Sequence, residues 1–255
     1  MTAVVISQPM YFPWRGMLEQ IALADVFVFY DDVQLPYGGG ATRGFQTRVQ
    51  VKNATGWQWV SIPVARVTKE TLISEAKITP GPWRRKHLAA FDASYRRAPH
   101  YAEVRAEVIE PVLALETDSL SDVCMASMRK VMAYVGLTPP VHVSSELGIG
   151  GVDASARVLA HCERFGATDY ISGHGAKRYL DHGLFDRAGV RVRYMEYANV
   201  PYEQLYGDFL PYVSSIDLLS NVGRDRSRAL LTSPAVYWRD LGDVPERPDD
   251  EAAAT

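Results

Sequence analysis

Three short segments concentrate the side chains that could do chemistry: Gln8-Pro9-Met10-Tyr11-Phe12-Pro13-Trp14, Asp31-Asp32-Val33-Gln34 and Ser172-Gly173-His174-Gly175-Ala176-Lys177. Each also has a plain structural use. Gln8 can bond its own loop, Pro13 opens helices well, and Asp31 or Asp32 can cap a turn. Gly173 and Gly175 can simply permit a tight strand-to-helix turn. Their joint occurrence is harder to set aside, because all three follow runs that read as buried strands. Parallel sheets bind ligands at the carboxyl ends of their strands.

The Ser-Gly-His-Gly-Ala-Lys turn could bring backbone N–H groups to a phosphate at a helix start, although it is neither G-x-G-x-x-G nor a Walker loop. Arg43, Arg48 and Lys86 are the cations that could assist, each with solvated surface as its plain alternative. His87, in Trp-Arg-Arg-Lys-His, and His174, in the glycine turn, are the acid–base candidates; His161 and His182 read as bland. Neither G-x-S-x-G, H-E-x-x-H nor C-x-x-C occurs, so nucleophile and metal chemistry have no signature. Cys124 and Cys162 fall on apolar helix faces, where a small hydrophobe is the ordinary reading.

The elements that must position these groups follow from periodicity. Ala3–Ser7 and Val26–Tyr30 are apolar runs that read as buried strands, with a helix from Pro13 or Gly16 to Ala24 between them, a β-α-β unit. Tyr37–Gly44 (YGGGATRG) reads as a lid. Residues 45–52 and 57–64 read as a hairpin. A helical insertion follows, with helices over 83–97, 101–115 and 119–135. A strand over 141–144 and a helix capped by Asp153 come next. A strand over 169–172, a helix from Arg178 and a strand over 190–197 make a second β-α-β unit. The expected fold is α/β: a mostly parallel sheet with flanking helices, in one domain over 1–241. The acidic, Ala-rich residues 242–255 read as a disordered tail.

Composition narrows the class. At 255 residues, 47% hydrophobic and 22% charged, with net charge −3, the chain gives no electrostatic reason to expect nucleic acid or an anionic membrane. Two cysteines exclude a disulfide framework and fit a reducing compartment, so the expectation is a cytoplasmic protein. No run approaches the ~20 apolar residues that span a bilayer. Fourteen Tyr and five Trp exceed what packing requires, and such rings line sites for sugars and other polar ligands.

The segments ISQPMYFPWRGMLEQIALADVFVFYDDVQ, TRVQVKNATGWQWVSIPV, ATDYISGHGAKRYLD and SSIDLLSNVG, with the spacing of Trp83, Lys86, His87 and Tyr95, resemble the WbqC-like family from about Ala3 to Gly223. That resemblance implies a bacterial protein of surface-polysaccharide or secondary-metabolite biosynthesis. It implies transfer of glycine, or a similar aminoacyl or acyl group, to an amino sugar. One departure stands out: PYGGGATRG follows D-D-V-Q, where family members commonly carry a longer polar and aromatic stretch.

The resulting expectation is an acyl or aminoacyl transferase forming an amide on an amine, with a carrier-protein phosphopantetheine thioester or a nucleotide as the activated partner. Asp31 or His87 would be the base, with His174 and Gln8 completing the catalytic set. Gln8 and N–H groups of the glycine turn would face the oxyanion. Arg48 and Lys86 would hold phosphate, and Tyr11 and Trp14 would form an apolar wall. Asp32, Gln34, Ser172, Gly173, Gly175, Tyr179 and Asn221 complete the substrate-binding set, with no metal. The first alternative is a nucleotidyl-transfer or adenylating enzyme of the class I synthetase-like kind; the second is a sugar-binding or scaffold protein.

Overall fold

Val4, Val5 and Ile6 carry no polar side chain, and β1 (Ala3–Ser7) buries all three at the centre of a sheet. Their alternation divides them between two cores, as a period of two requires. Val5 packs with Leu18 and Ile21 of α1 (Arg15–Ala22) and with Phe27 and Phe29 of β2 (Val26–Phe29). Val4 and Ile6 pack on the other face with Val28, Val158 and Phe185. Helices thus cover both faces, which is why these strands are continuously apolar. The computed structural model describes residues 1–38, 41–42, 44–150 and 153–241.

Between β2 and the rest of the sheet lie a hairpin and a helical layer. The hairpin joins β3 (Arg48–Asn53) to β4 (Gly56–Ser61), pairing Gln50 with Trp59 and Lys52 with Trp57. Its turn uses Asn53, whose Oδ1 accepts the Thr55 N–H at 2.9 Å, and Gly56, whose φ of +123° is open only to glycine. The helices are α2 (Trp83–Tyr95), α3 (Tyr101–Val104, continuing through a π-turn at Arg105–Ile109 to Leu113) and α4 (Leu120–Tyr134).

The chain then returns to the sheet through β5 (Val141–Val143), α5 (Ala154–Arg164), β6 (Asp169–Ser172), α6 (His182–Arg187) and β7 (Arg191–Met195). It ends with α7 (Ser215–Ala229) and β8 (Ala235–Tyr237). The sheet runs β8-β7-β6-β1-β2-β5, parallel except for β8 against β7. The fold is α/β with a mostly parallel six-stranded sheet, as the periodicity predicts. From β1 the chain builds outward on one side through β2 and β5, then returns to the other side of β1 for β6 and β7. The order of strand addition reverses between β1 and β6, which run parallel, and α/β sheets have their ligand crevice at such a switch point, outside the carboxyl ends of the strands.

Two details depart from expectation. The helix expected from Arg178 is instead a 3-10 turn over His174–Arg178, and α6 opens only at His182, where Asp181 Oδ1 accepts the Leu184 N–H. Elements α7 and β8 were not anticipated. In α7, Gly223 adopts φ 74° and interrupts the pattern; a Cβ there would meet the His100 ring at 2.7 Å. Arg43, part of the segment read as a lid, and the tail over 242–255 lie outside the described residues; within that segment Tyr37–Gly38 and Ala41–Thr42 form a short ladder. Among the described residues no helix is long and apolar enough to cross a membrane.

Candidate functional site

Ser7 pairs in register with Phe29, and Val5 with Ile171, so the loops after β1, β2 and β6 leave the same edge of the sheet. The β1 loop is held under strain. Phe12 has φ 38°, rare for a side chain bearing Cβ, and a residue there costs ~1–3 kcal/mol. Its N–H donates to Ser127 Oγ at 2.9 Å and its carbonyl accepts from Ser214 Oγ at 3.1 Å. Its ring packs edge-on to Phe91. These contacts over-determine the conformation and carry Trp14 to the crevice.

Trp14 packs against Tyr197 (centroids 4.8 Å) and Tyr212 (5.3 Å), and Asn199 Nδ2 donates to the Tyr212 hydroxyl at 3.0 Å. The indole also lies across Gly16 in the first turn of α1. A Cβ at Gly16 would sit 2.1 Å from a ring carbon, which explains why a glycine stands two residues after the tryptophan. Gly16→Ala is therefore expected to expel the indole from its tyrosine neighbours and to lower stability by ~1–3 kcal/mol, the usual cost of overpacking. Near-UV circular dichroism and urea unfolding check this; an unchanged spectrum and midpoint would show that the ring yields freely.

Gln8 accepts at Oε1 from Gln46 Nε2 at 2.7 Å, which turns its own NH2 group away from Gln46. Gln46 is 3% exposed and lies over Gly44, where a Cβ would meet its Oε1 at 2.1 Å. On the loop after β6, His174 Nε2 stands 2.6 Å from the Met195 carbonyl at the end of β7. A nitrogen so placed must carry the proton, so the neutral ring has its lone pair on Nδ1. Ser172 is buried and accepts from the Tyr170 hydroxyl at 3.3 Å. A Cβ at Gly173 would lie 3.4 Å from the Tyr197 hydroxyl, whereas one at Gly175 would meet nothing.

Other expected residues fall elsewhere. His87 is a core residue: its Nε2 donates to the Ser61 carbonyl at 3.0 Å, its Nδ1 accepts from the Tyr11 hydroxyl at 2.9 Å, and burial holds its pKa down at about 4. With both nitrogens engaged it does not serve as the crevice base. Tyr11, 1% exposed, belongs to the same core and is no wall for a ligand. Asp31 is 3% exposed and committed to Ser145, accepting its N–H at 3.0 Å and its hydroxyl at 2.7 Å. It caps the one-turn helix Ser144–Leu147 after β5, so the base assignment fails here as well. Asp32 pairs with Arg157, which also donates to the Asp32 carbonyl at 3.0 Å.

Arg48 lays its guanidinium over Trp59, 4.0 Å from the ring centroid. Gln46 precedes β3 instead of lying within it, so the two do not share a strand face as expected. Gln34 and Lys86 are exposed, and Tyr179 is 59% exposed. Asn221 serves α7, accepting the Leu205 N–H at 3.2 Å and donating to the Asp217 carbonyl at 2.8 Å. Cys124 and Cys162 are buried, and burial pushes both thiols up, Cys162 to about 12.

Several polar groups escaped the sequence reading. Arg15 and Glu19 form a buried ion pair at 2.8 Å, with Ser233 Oγ donating to Glu19 at 2.8 Å; their i, i+4 spacing was the available signal. His161, read as bland from the sequence, is a fully buried core residue, its Nε2 2.9 Å from Ser144 Oγ and its Nδ1 2.8 Å from the Arg157 carbonyl. Lys52, 4% exposed, donates to Gln204 Oε1 at 3.0 Å and to the Asp208 carbonyl, pinning the segment that carries Tyr212. A concavity of about 330 Å³ bounded by Ala106, Lys130, Tyr134 and Arg224 lies on the helical layer and draws on none of the three loops.

Comparison with known proteins bears on the family resemblance. The chain is 33% identical over 229 residues to the uncharacterized protein Rv1507c of Mycobacterium tuberculosis (strain ATCC 25618 / H37Rv), covering 88% of this chain and 96% of that one. No solved structure matches it. The profile of the WbqC-like protein family matches residues 8–229, from Gln8 to the end of α7, and the chain belongs to that family.

Proposed function

We propose that the chain is a transferase that forms an amide between an activated acyl or aminoacyl donor and an amine carried on a sugar, with the chemistry in the crevice between β1 and β6. The observation that carries this reading is His174. Its ring is oriented by the Met195 carbonyl so that Nδ1 is the acceptor, and it stands on the loop after β6, the strand that pairs with the β1 from which the Gln8 loop leaves. The amine attacks the donor carbonyl while His174 Nδ1 accepts its proton; the tetrahedral intermediate then collapses, and the leaving thiolate regains a proton from the imidazolium. The Gln8 carboxamide, set by Gln46, supplies an N–H to the developing oxyanion, assisted by main-chain N–H groups of the glycine turn. Trp14, Tyr197 and Tyr212 form the apolar wall that orients the donor. Neither cysteine takes part, because both thiols are held in the protonated form by burial.

The nucleotidyl-transfer alternative finds no support at the same place, since it needs phosphate at the start of α1, where the Trp14 indole lies across Gly16.

Mass spectrometry of reactions containing glycyl-S-pantetheine and a nucleotide-linked amino sugar reads the outcome directly. Amide product is expected from the native chain, and His174→Gln should lower kcat by about 10²–10⁴-fold with little change in KM. Full turnover in a folded His174→Gln protein would remove the proposed base.

A further inference from the structure

The β3–β4 hairpin presents two faces of opposite character. Val49, Val51 and Val60 face the core and are buried. Residues directly opposite in an antiparallel pair share a face, so the pairs Arg48–Ser61, Gln50–Trp59 and Lys52–Trp57 turn the other way. On that outward face Trp57 is 48% exposed and Trp59 36%. The rings meet edge to face with centroids 5.6 Å apart, and Arg48 lies on Trp59 at 4.0 Å. Two indoles left in water on one strand cost solvation that a core position would have saved. A folding role does not account for them.

We infer that this outward face is a carbohydrate platform, on which the acceptor's pyranose ring stacks during transfer. Three features select a sugar. The exposed indole surface is roughly 200 Å², far below the ~800 Å² per partner that a stable dimer or protein complex covers. It matches one or two small rings. Gln50, directly opposite Trp59, and Ser61, two positions along the same strand face, can bond hydroxyl groups while the sugar's C–H face meets the indole. The face is also continuous with the crevice: the Gln50 carbonyl accepts the Ser214 N–H at 2.9 Å, Ser214 bridges to Trp14, and Arg48 follows two residues after the Gln46 that holds Gln8. From Trp57 to Ser61 the ridge spans roughly 13 Å, enough for a disaccharide-sized ligand with one end at the crevice. At its far end Lys52 is folded under Gln204 and Asp208, which closes the platform there.

The inference rests on the transferase reading for its place in the reaction, but binding can be tested without turnover. The full chain would be titrated with N-acetylglucosamine and with UDP-N-acetylglucosamine, following intrinsic tryptophan fluorescence, with glycerol as the control. A saturable change is expected in the native chain, with affinity at least tenfold weaker in Trp57→Ala and in Trp59→Ala at unaltered thermal midpoint. No response to either sugar, or an equal response in both variants, would overturn the platform. A concentration-dependent dimer in sedimentation that both substitutions abolish would assign the ridge to a second copy of the chain, and so overturn it too. Sugar binding without amide formation by the native chain would instead count against the transferase reading alone.

Discussion

Lys52→Met should destabilise the protein by ~3–5 kcal/mol at neutral pH, the cost of removing one partner from a buried charged network. Its ammonium is 4% exposed and satisfies Gln204 Oε1 and the Gly207 and Asp208 carbonyls. Its charge also faces Asp217, fully buried and bonded by the Tyr202 hydroxyl at 2.9 Å and Asn221 Nδ2 at 3.3 Å. Methionine fills the space but takes the ammonium from the Gly207 and Asp208 carbonyls, leaves Gln204 Oε1 with the Leu210 N–H alone, and leaves the carboxylate without a counter-charge. A fall in Tm on the order of 10 °C follows for a chain of this size. The penalty should shrink at pH 5, where Asp217 is largely protonated and needs no cation. A loss below ~1 kcal/mol in urea unfolding at pH 7 would mean that water replaces the ammonium without cost.

Two buried groups should give opposing and nearly cancelling pH dependences. Burial lowers His87 to about 4 from 6.5. The native state binds fewer protons than the unfolded chain between those values, so this contribution is present above pH 6.5 and is lost as pH falls to 4. Burial raises Asp217 from 3.8 to about 6, against the downward pull of Tyr202 and Lys52. Here the native state holds the extra proton, so the contribution is present below pH 3.8 and is lost as pH rises to 6. Each shift corresponds to roughly 3 kcal/mol. Over pH 4 to 6 they oppose each other. Relative to the native chain, His87→Gln should gain stability on acidification through this window and Asp217→Asn should lose it. Urea unfolding free energies taken from pH 4 to 7 supply the two difference curves, and parallel curves for variants and native chain would refute both assignments.

The fold was legible wherever a local pattern decided it. The apolar run Val4–Ile6, the Asn53–Gly56 turn and the Asp153 cap each state their conformation within a few residues. Where two patterns competed, the reading failed. Gly223 interrupts α7 at its middle, and the reason for tolerating it, the His100 ring, lies far away in sequence. The signal that could have found α7 was Ser214 followed three residues later by Asp217 at a helix start.

The site was legible at the level of its loops and not of its groups. Parallel strands dictated that the three loops share an edge. Nothing within Asp31-Asp32 reveals that Ser145 engages one carboxylate and Arg157 the other. Nor does the sequence around His87 disclose the Tyr11 hydroxyl. His174 differs because its orienting partner is a main-chain carbonyl that any residue at position 195 would supply. Tyr197 and Tyr212 sit in irregular backbone, without a period to betray them.

The central position of β1 has a consequence for how the protein is made. Thr2 N–H donates to the Thr168 hydroxyl across 166 residues of chain, and the strand beside β1 on that side is β6. A nascent chain can pair β1 with β2 early, yet one flank of β1 stays open until two thirds of the protein has left the ribosome. Loop closure over that length is slow and leaves an apolar edge exposed meanwhile. The crevice is bounded by β1 and β6, so it is completed by that same late pairing. A partly synthesised chain therefore has no binding cleft to offer a substrate.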